Sequence, residues 1–336
     1  MSAVELRQIA TDLGFDAVGA ASAEPYERAE QAIHERKQRG FFAGMRFAMA
    51  RPEVSCHPET LVPGARSVVT AALCYQAPAP ELRAGEGRLA RYTWYDAYAR
   101  LRSKLDALGH RLGGAFRAVV DSNDHLDREA AARSGVGFFG KNTMIITRRF
   151  GSWVVLGSLV TTAEVAATPP LERDCGSCRL CIDACPTGAL DEPGVLDARK
   201  CLSYWTQAPS PIPPGFRESL GASVYGCDIC QEACPWNRGI ERRRSVERRS
   251  DDAEAVVSLA EWLTCDGAEL VHRYRRLYIP RRDPRYLRRN ALVALANVGT
   301  DEHERLAWPY ADSEDELLRE QALWTLERLR ERAKQR

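Results

Sequence analysis

The stretch CGSCRLCIDACP (residues 175–186), followed by Cys201 and then CDICQEACP (227–235), decides how this chain is read. Its spacing is Cys175-x2-Cys178-x2-Cys181-x3-Cys185-Pro186, then Cys201, then Cys227-x2-Cys230-x3-Cys234-Pro235. A [4Fe–4S] cubane needs four thiolates converging on its corners; C-x2-C wraps a tight loop around one face, and a cysteine before proline ends the local turn. Where two such runs occur together, that last cysteine ligates the other cluster. The rule assigns Cys175, Cys178, Cys181 and Cys234 to one cluster, and Cys185, Cys201, Cys227 and Cys230 to a second. A single C-x2-C pair also suits zinc, but two runs that both end in Cys-Pro favour clusters. The segment reads as an electron-transfer module.

Outside it, 336 residues are enough for two or three domains with their own cores. The apolar share is 45% and the charged share 28%, as in ordinary globular proteins. The first residues, MSAVELRQIATDLGFDAVG, carry charges among their apolar positions, and no apolar run reaches the length of a membrane span. The expectation is a cytoplasmic protein without membrane attachment. Eleven cysteines, mostly at ligand spacing, point in a reducing compartment to metal rather than disulfides. Cys56, Cys74 and Cys265 are left over and read as packing residues.

Net charge is only +1, but its distribution is uneven. Residues 272–289 hold Arg273, Arg275, Arg276, Arg281, Arg282, Arg285, Arg288 and Arg289 against the single acid Asp283, with Tyr274, Tyr278 and Tyr286 interleaved. Guanidinium forks suit phosphates and the rings suit stacked bases; a solvated helical face is the plainer alternative.

Along the chain, 2–13 is an amphipathic helix, 16–21 a short strand and 25–39 a polar helix. The run 67–75, SVVTAALCY, reads as a strand covered on both faces. A helix over 95–112 precedes a buried strand at 115–120, then a helix over 126–134 with Asp124 as its cap. Strands are expected at 143–148 and 152–161. This alternation over residues 1–168 makes an α/β or α+β domain. Residues 169–237 form the cluster domain, 238–254 a charged linker, and 238–336 as a whole a basic, helical domain. There Arg289–Leu295 resembles Glu320–Leu326 at an offset of 31 residues, as in stacked helical pairs of the HEAT type. The fold class is therefore α+β with a dicluster module and a HEAT-like C-terminus.

Clusters move single electrons, so another group must meet the substrate. No G-x-x-x-x-G-K-[ST] loop occurs, and Gly135-x-Gly137-x-x-Gly140 precedes a strand instead of opening a helix, against a dinucleotide site. Asp121 ends a buried strand, where sheets present functional groups, although turn residues also sit there.

Several motifs together carry a resemblance. Val120-Asp121-Ser122 is followed by Asp127-Arg128, Gly135-x-Gly137-Phe138-x2-Lys141-Asn142 and Phe150-Gly151-Ser152-Trp153. The first cysteine run follows, then Arg199-Lys200-Cys201-Leu202-Ser203-Tyr204, and the second run ends in Pro235-Trp236-Asn237. In combination they resemble the epoxyqueuosine reductases, cobalamin-dependent iron–sulfur enzymes of tRNA modification related to reductive dehalogenases. Departures are Asn123-Asp124, where the family often has Ala-Pro, and Ser55 near a common arginine. The resemblance implies that the N-terminal domain binds cobalamin and that two [4Fe–4S] clusters deliver electrons to it. Cob(I)alamin would then reduce epoxyqueuosine to queuosine at the wobble position of tRNA. Asp121 falls on the family's proton donor; with it, Ile145, Leu156, Ser203 and Asp228 fall where members line the cofactor, and the basic C-terminus would grip the anticodon stem-loop through Arg281, Arg282, Arg285, Arg288 and Arg289. A monomer supplied by an unidentified low-potential electron donor is implied. Two alternatives stay open on sequence: a dicluster electron carrier, and a reductive dehalogenase-like enzyme.

Overall fold

A computed structural model describes residues 1–244 and 253–335. Its strands are β1 (Ala17–Ser22), β2 (Ser67–Cys74), β3 (Glu86–Leu89), β4 (Phe116–Val120), β5 (Phe138–Phe139), β6 (Ile145–Ile146), β7 (Val154–Thr161), β8 (Ser223–Tyr225) and β9 (Val256–Ser258). The longer helices are α1 (Ala3–Asp12), α2 (Glu27–Gln38), α3 (Ala97–Leu112), α4 (Asp127–Arg133), α5 (Pro235–Arg244), α6 (Leu259–Thr264), α7 (Gly267–Arg273), α8 (Arg285–Val298), α9 (Glu304–Ala311) and α10 (Glu316–Lys334).

The N-terminal sheet has the order β1-β2-β7-β4 and every ladder in it is antiparallel. The α+β option therefore holds over the α/β one. The apolar run at 67–75 is central for the expected reason: both of its faces are covered. Val69, Ala71 and Leu73 point to Leu101, Leu105 and Leu108 of α3, while Val68 joins Val119, Val160, Ile33 of α2 and Ala130 of α4. Helix α3 comes so near that a Cβ on Gly157 would stand 2.9 Å from Leu105 and 2.7 Å from Val120. Ser2 and Glu5 close a capping box on α1, and Asp96 accepts from the Ala99 amide at 2.9 Å to cap α3.

Helix α4 departs from expectation at its start. Its N-cap is Leu126 rather than Asp124, whose carboxylate instead meets Arg51 at 2.5 Å and Arg117 at 3.6 Å. The strand expected over 143–148 shrinks to Ile145–Ile146. The predicted linker begins as helix, because α5 runs to Arg244; residues 245–252 of it lie outside the described residues.

A second sheet was not legible in the sequence. β3 pairs in parallel with β8 and antiparallel with β9, so one small sheet draws on all three expected domains. Leu89, Trp94, Val224, Tyr225, Trp262, Tyr274, Leu292 and Leu295 form its core. Helix α8 is buried along almost its whole length and packs against α10. The two sequence copies lie on these helices: Ala291 and Ala322 are both buried, whereas Leu292 is buried and Leu323 is exposed. Among the described residues no helix is long and apolar enough to cross a membrane.

Candidate functional site

The eight cysteines sit on tight loops and short helical turns at Leu180–Asp183, Leu202–Gln207 and Ile229–Glu232. Two neighbourhoods emerge. Cys181 lies close enough to Cys175 and Cys178 for their charges to interact, and Cys234 to Cys175 and Cys181. Cys227 interacts with Cys201 and Cys185, and Cys230 with Cys227 and Cys201 and also with Cys181, so the two neighbourhoods adjoin there. Burial pushes the thiols of Cys201, Cys227 and Cys230 upward. Buried thiols of this kind ionise when a cation takes them as ligands, so the donor set fits a metal cluster. Among the described residues, no group of three or more His, Cys, Asp or Glu is gathered as closely as one metal ion demands. The leftover cysteines pack: burial raises the Cys56 thiol to about 11, Cys74 lies against the sheet core and Cys265 against the second core.

Two motifs between residues 137 and 153 hold these loops. Lys141 donates its Nζ to the carbonyl oxygens of Gly176 (2.6 Å) and Cys178 (3.0 Å), and Asn142 Nδ2 donates to that of Cys230 (3.4 Å). Gly151, at φ +54°, lets Asn237 in: a Cβ there would lie 2.0 Å from Asn237 Oδ1. Asn237 Oδ1 accepts from the Ser152 amide at 2.8 Å, and its Nδ2 donates to Ser152 Oγ (2.9 Å) and to the Gln231 carbonyl (2.7 Å). These fully hydrogen-bonded buried amides lock the cysteine loops onto the sheet.

Asp121 follows β4 directly, at φ +49°. A non-glycine residue in the left-handed region is uncommon and marks a turn held by its surroundings. Arg102 of α3 fixes the strand end, donating to the carbonyls of Ala118 (3.1 Å) and Val120 (2.9 Å). The Asp121 side chain is open to solvent, yet the protein around it still raises its pKa by desolvation, against the opposing charges of Arg128 and Arg102. The carboxyl is thus accessible and yet partly shielded by neighbouring protein. Tyr92, Tyr98 and Tyr225 all lie near enough to feel its charge. Cys201 in turn feels Arg128, which puts the Cys201 group beside the Asp121 turn.

The other residues singled out for the cofactor are spread around this region. Ile145 and Leu156 share an apolar cluster with Ala72 and Val136. Ser203 lies two residues after Cys201, and its carbonyl accepts from Thr206 and Gln207. Asp228 is half-buried with its side chain nearly enclosed, the carboxyl taking the Arg91 amide (2.9 Å) and guanidinium (3.3 Å); burial still lifts its pKa to about 6. Tyr92 lies near enough to feel the charges of both Asp121 and Asp228. Arg91, missed in the sequence, also bonds Glu232 at 2.7 Å and lies 4.7 Å from the Trp153 ring centroid.

The arginine-rich stretch is mostly occupied. Arg289 is 0% exposed and donates to the carbonyls of Trp205, Ala208 and Ser210, which corrects its expected role as an RNA contact: no phosphate can reach it. Tyr274 and Tyr286 are buried as well. Arg285 pairs with Asp315 at 2.6 Å, Arg288 donates to the Cys265 carbonyl at 2.9 Å, and Arg282 turns back onto the carbonyls of Val271 (2.7 Å) and Leu277 (3.2 Å). Arg281 is exposed at φ +52° and has no side-chain partner among the described residues. Beside it Tyr278 is 56% exposed and meets Phe47, 38% exposed, with ring centroids 6.1 Å apart. Tyr225, which feels the charge of Asp121, donates its hydroxyl to the Tyr278 carbonyl at 3.0 Å and so connects this aromatic pair to the Asp121 region. An open hollow of about 340 Å³ lined by Lys37, Phe42, Met45, Arg46 and Met49 lies next to Phe47.

Comparisons with known proteins agree with this geometry. Residues 174–237 match the family model of a 4Fe-4S double cluster binding domain, and residues 56–122 match that described as epoxyqueuosine reductase QueG, DUF1730. The epoxyqueuosine reductase of Bacillus cereus is 35% identical over 296 residues, covering 85% of this chain and 77% of the relative. That of Vibrio cholerae is 31% identical over 339 residues, covering 96% and 90%. A crystal structure of epoxyqueuosine reductase with an epoxyqueuosine-modified tRNA-Tyr stem loop superposes with a TM-score of 0.87 at 31% identity, over 97% of this chain and 89% of that one. A Bacillus subtilis epoxyqueuosine reductase whose catalytic aspartate loop is swung out of the active site superposes with a TM-score of 0.82 at 29% identity, over 97% and 98%. With relatives above 30% identity along most of their length, the chain belongs to the epoxyqueuosine reductase family.

Proposed function

We propose that this chain reduces epoxyqueuosine to queuosine at the wobble position of tRNA, with cobalamin held between the Asp121 turn and the Cys201 group. The observation that carries this is Asp121 itself: an accessible carboxyl with a raised pKa, on a strained turn next to a cluster-type cysteine set. Losing an epoxide oxygen as water takes two electrons and two protons. Asp121 delivers a proton to the oxygen as the C–O bond opens, which spares the enzyme a free alkoxide.

The residues present suit a corrinoid. Ile145 and Leu156 offer apolar surface, while Ser203 and Asp228 edge the same region as Tyr92 and Tyr225. His125 is buried against Tyr26, away from solvent, so it is not offered to a cobalt ion. Once bound and reduced, cobalamin supplies a nucleophilic metal centre for opening the epoxide. Cys185, Cys201, Cys227 and Cys230 hold the cluster nearer Asp121. Cys175, Cys178, Cys181 and Cys234 hold the outer one, which Phe138 and the half-exposed Trp236 cover. The low-potential donor meets the chain on that outer side.

A relative accommodates a modified tRNA stem loop, and on this chain the exposed Phe47–Tyr278 pair and Arg281 form the matching surface: rings for an unstacked base, a free guanidinium for phosphate. The C-terminal helices, HEAT-like in the pairing of α8 with α10, back that surface. Arg281→Ala should reduce the slope of log affinity against log salt by roughly 0.7–0.9, the value of one phosphate contact. Tyr278→Ala should weaken binding with the slope unchanged. Both are read from stem-loop titrations at several salt concentrations, and an unaltered slope in the Arg281 variant removes it from the interface. For the activity itself, the reduced, cobalamin-loaded protein should convert an epoxyqueuosine stem-loop to queuosine. Reduction of an organohalide with the stem-loop left untouched contradicts the assignment and favours a dehalogenase-like enzyme.

A further inference from the structure

We infer that Lys141 raises the reduction potential of the outer cluster by holding its positive charge against the first cysteine loop, an inference that rests on Cys175, Cys178, Cys181 and Cys234 being the ligands of that cluster. Lys141 stands at the tip of the hairpin made by β5 and β6, in which Phe138 faces Ile146 and Phe139 faces Ile145. The turn is tight: the Gly140 amide donates to the Met144 carbonyl at 2.8 Å, and the Thr143 amide donates to the Gly140 carbonyl at 2.9 Å. A Cβ on Gly140 would lie 2.6 Å from Asn142 Oδ1 and 2.7 Å from Ile146. The carbonyl of Lys141 accepts from the Gly194 amide at 2.9 Å, so its backbone is fixed from outside the hairpin as well. The tip thus sends Asn142 to the Cys230 carbonyl and Lys141 to the carbonyls of Gly176 and Cys178.

What sets Lys141 apart is that carbonyl oxygens alone receive its ammonium: among the described residues no carboxylate pairs with it. Other cations near the cysteine loops answer acids. Arg179 faces Asp183 at 3.7 Å, Lys200 meets Asp191 at 2.8 Å, and Arg91 is shared by Asp228 and Glu232. Arg128, on the inner side, is opposed by Asp121. Lys141 is also half-buried, which limits screening by salt. Its two carbonyl partners flank Ser177, between the cysteines of the first C-x2-C pair. A cluster gains one negative charge on reduction, so a fixed cation beside its ligand loop favours the reduced form. The opposing charge on this loop is Asp174, whose carboxylate accepts from the Gly176 amide at 2.7 Å; it is exposed and more strongly screened. Lys141 therefore makes the outer cluster, where the donor meets the chain, the readier acceptor.

Redox titration of the anaerobic, cluster-loaded, cobalamin-free protein, followed by electron paramagnetic resonance, reads both clusters without turnover. Lys141→Gln keeps a hydrogen-bond donor and loses the charge. It should shift the one-electron equilibrium of one cluster roughly tenfold toward the oxidised form, about 59 mV lower in potential, and move the other cluster less. Lys141→Arg, which restores the charge, should return the potential to the wild-type value; a purely structural role would give no such split between charge and shape. If the glutamine variant loses a cluster, Asp174→Asn, which removes the opposing charge from the same loop, should raise that potential. Unmoved potentials in Lys141→Gln, or in Asp174→Asn where it is needed, overturn the inference, as does an equal shift of both clusters. Wild-type protein that takes up only one cluster overturns the ligand assignment and the inference with it. Two clusters with unmoved potentials overturn the inference alone.

Discussion

Asp121→Ala loses turnover by roughly 10²–10⁴-fold, the usual value of one positioned general acid, while the protein keeps both clusters and its corrinoid. The loss is chemical rather than structural because the residue is exposed and not part of the core. Asp121→Asn is the sharper variant: asparagine tolerates the left-handed turn that alanine strains, so its deficit reports the missing proton alone. The pH dependence has a definite sign. A free aspartate titrates near ~3.9, and desolvation raises Asp121 above that. Only the protonated form donates, so turnover falls as pH climbs through the raised value, and the asparagine variant lacks that limb. Stopped-time assays on an epoxyqueuosine stem-loop across pH measure both effects. Near-normal turnover in either variant removes Asp121 from the mechanism.

Arg289→Ala should destabilise the folded protein by at least about 3 kcal/mol, as expected when several buried carbonyls lose their only charged donor. Its guanidinium is wholly enclosed, donating to Ser210 (2.6 Å), Ala208 (2.7 Å) and Trp205 (2.9 Å) and to Asn290 Oδ1 (2.8 Å). Burial draws its pKa down to about 9, which still leaves it charged at neutral pH. Alanine would leave three carbonyls without a donor, each costing about 1–3 kcal/mol. These carbonyls belong to the segment after Cys201, so the cluster nearest Asp121 should be lost at a lower temperature than in wild type. Thermal melts followed by circular dichroism and by cluster absorbance measure this. An unshifted melting temperature contradicts the anchoring role, whereas Arg281→Ala is expected to leave stability alone.

These two arginines show why the arginine-rich stretch could not be read from sequence. Only Asp283 lies within residues 272–289, but the fold brings acids from elsewhere: Glu254 to Arg273 and Arg276, and Asp315 to Arg285. Local composition reports charge density, not which guanidinium is already used. The cysteine spacing and the long apolar strands were legible because ligand geometry and two-sided burial impose short-range patterns. β3, β8 and β9 were not, since strands of three or four residues carry too little alternation to reveal partners more than a hundred residues away. Asp121 stood out through its place after a buried strand. Phe47 gained meaning only when Tyr278 came beside it.

The most direct measurement is corrinoid dependence of turnover. Anaerobically purified protein with both clusters in place, stripped of cobalamin, is given an epoxyqueuosine stem-loop and a low-potential reductant, and cobalamin is then titrated in. Queuosine should be absent at the start and should rise with bound cobalamin until one corrinoid per chain is reached. Queuosine formed at full rate without any corrinoid, or a chain that binds none, contradicts the assignment of this site.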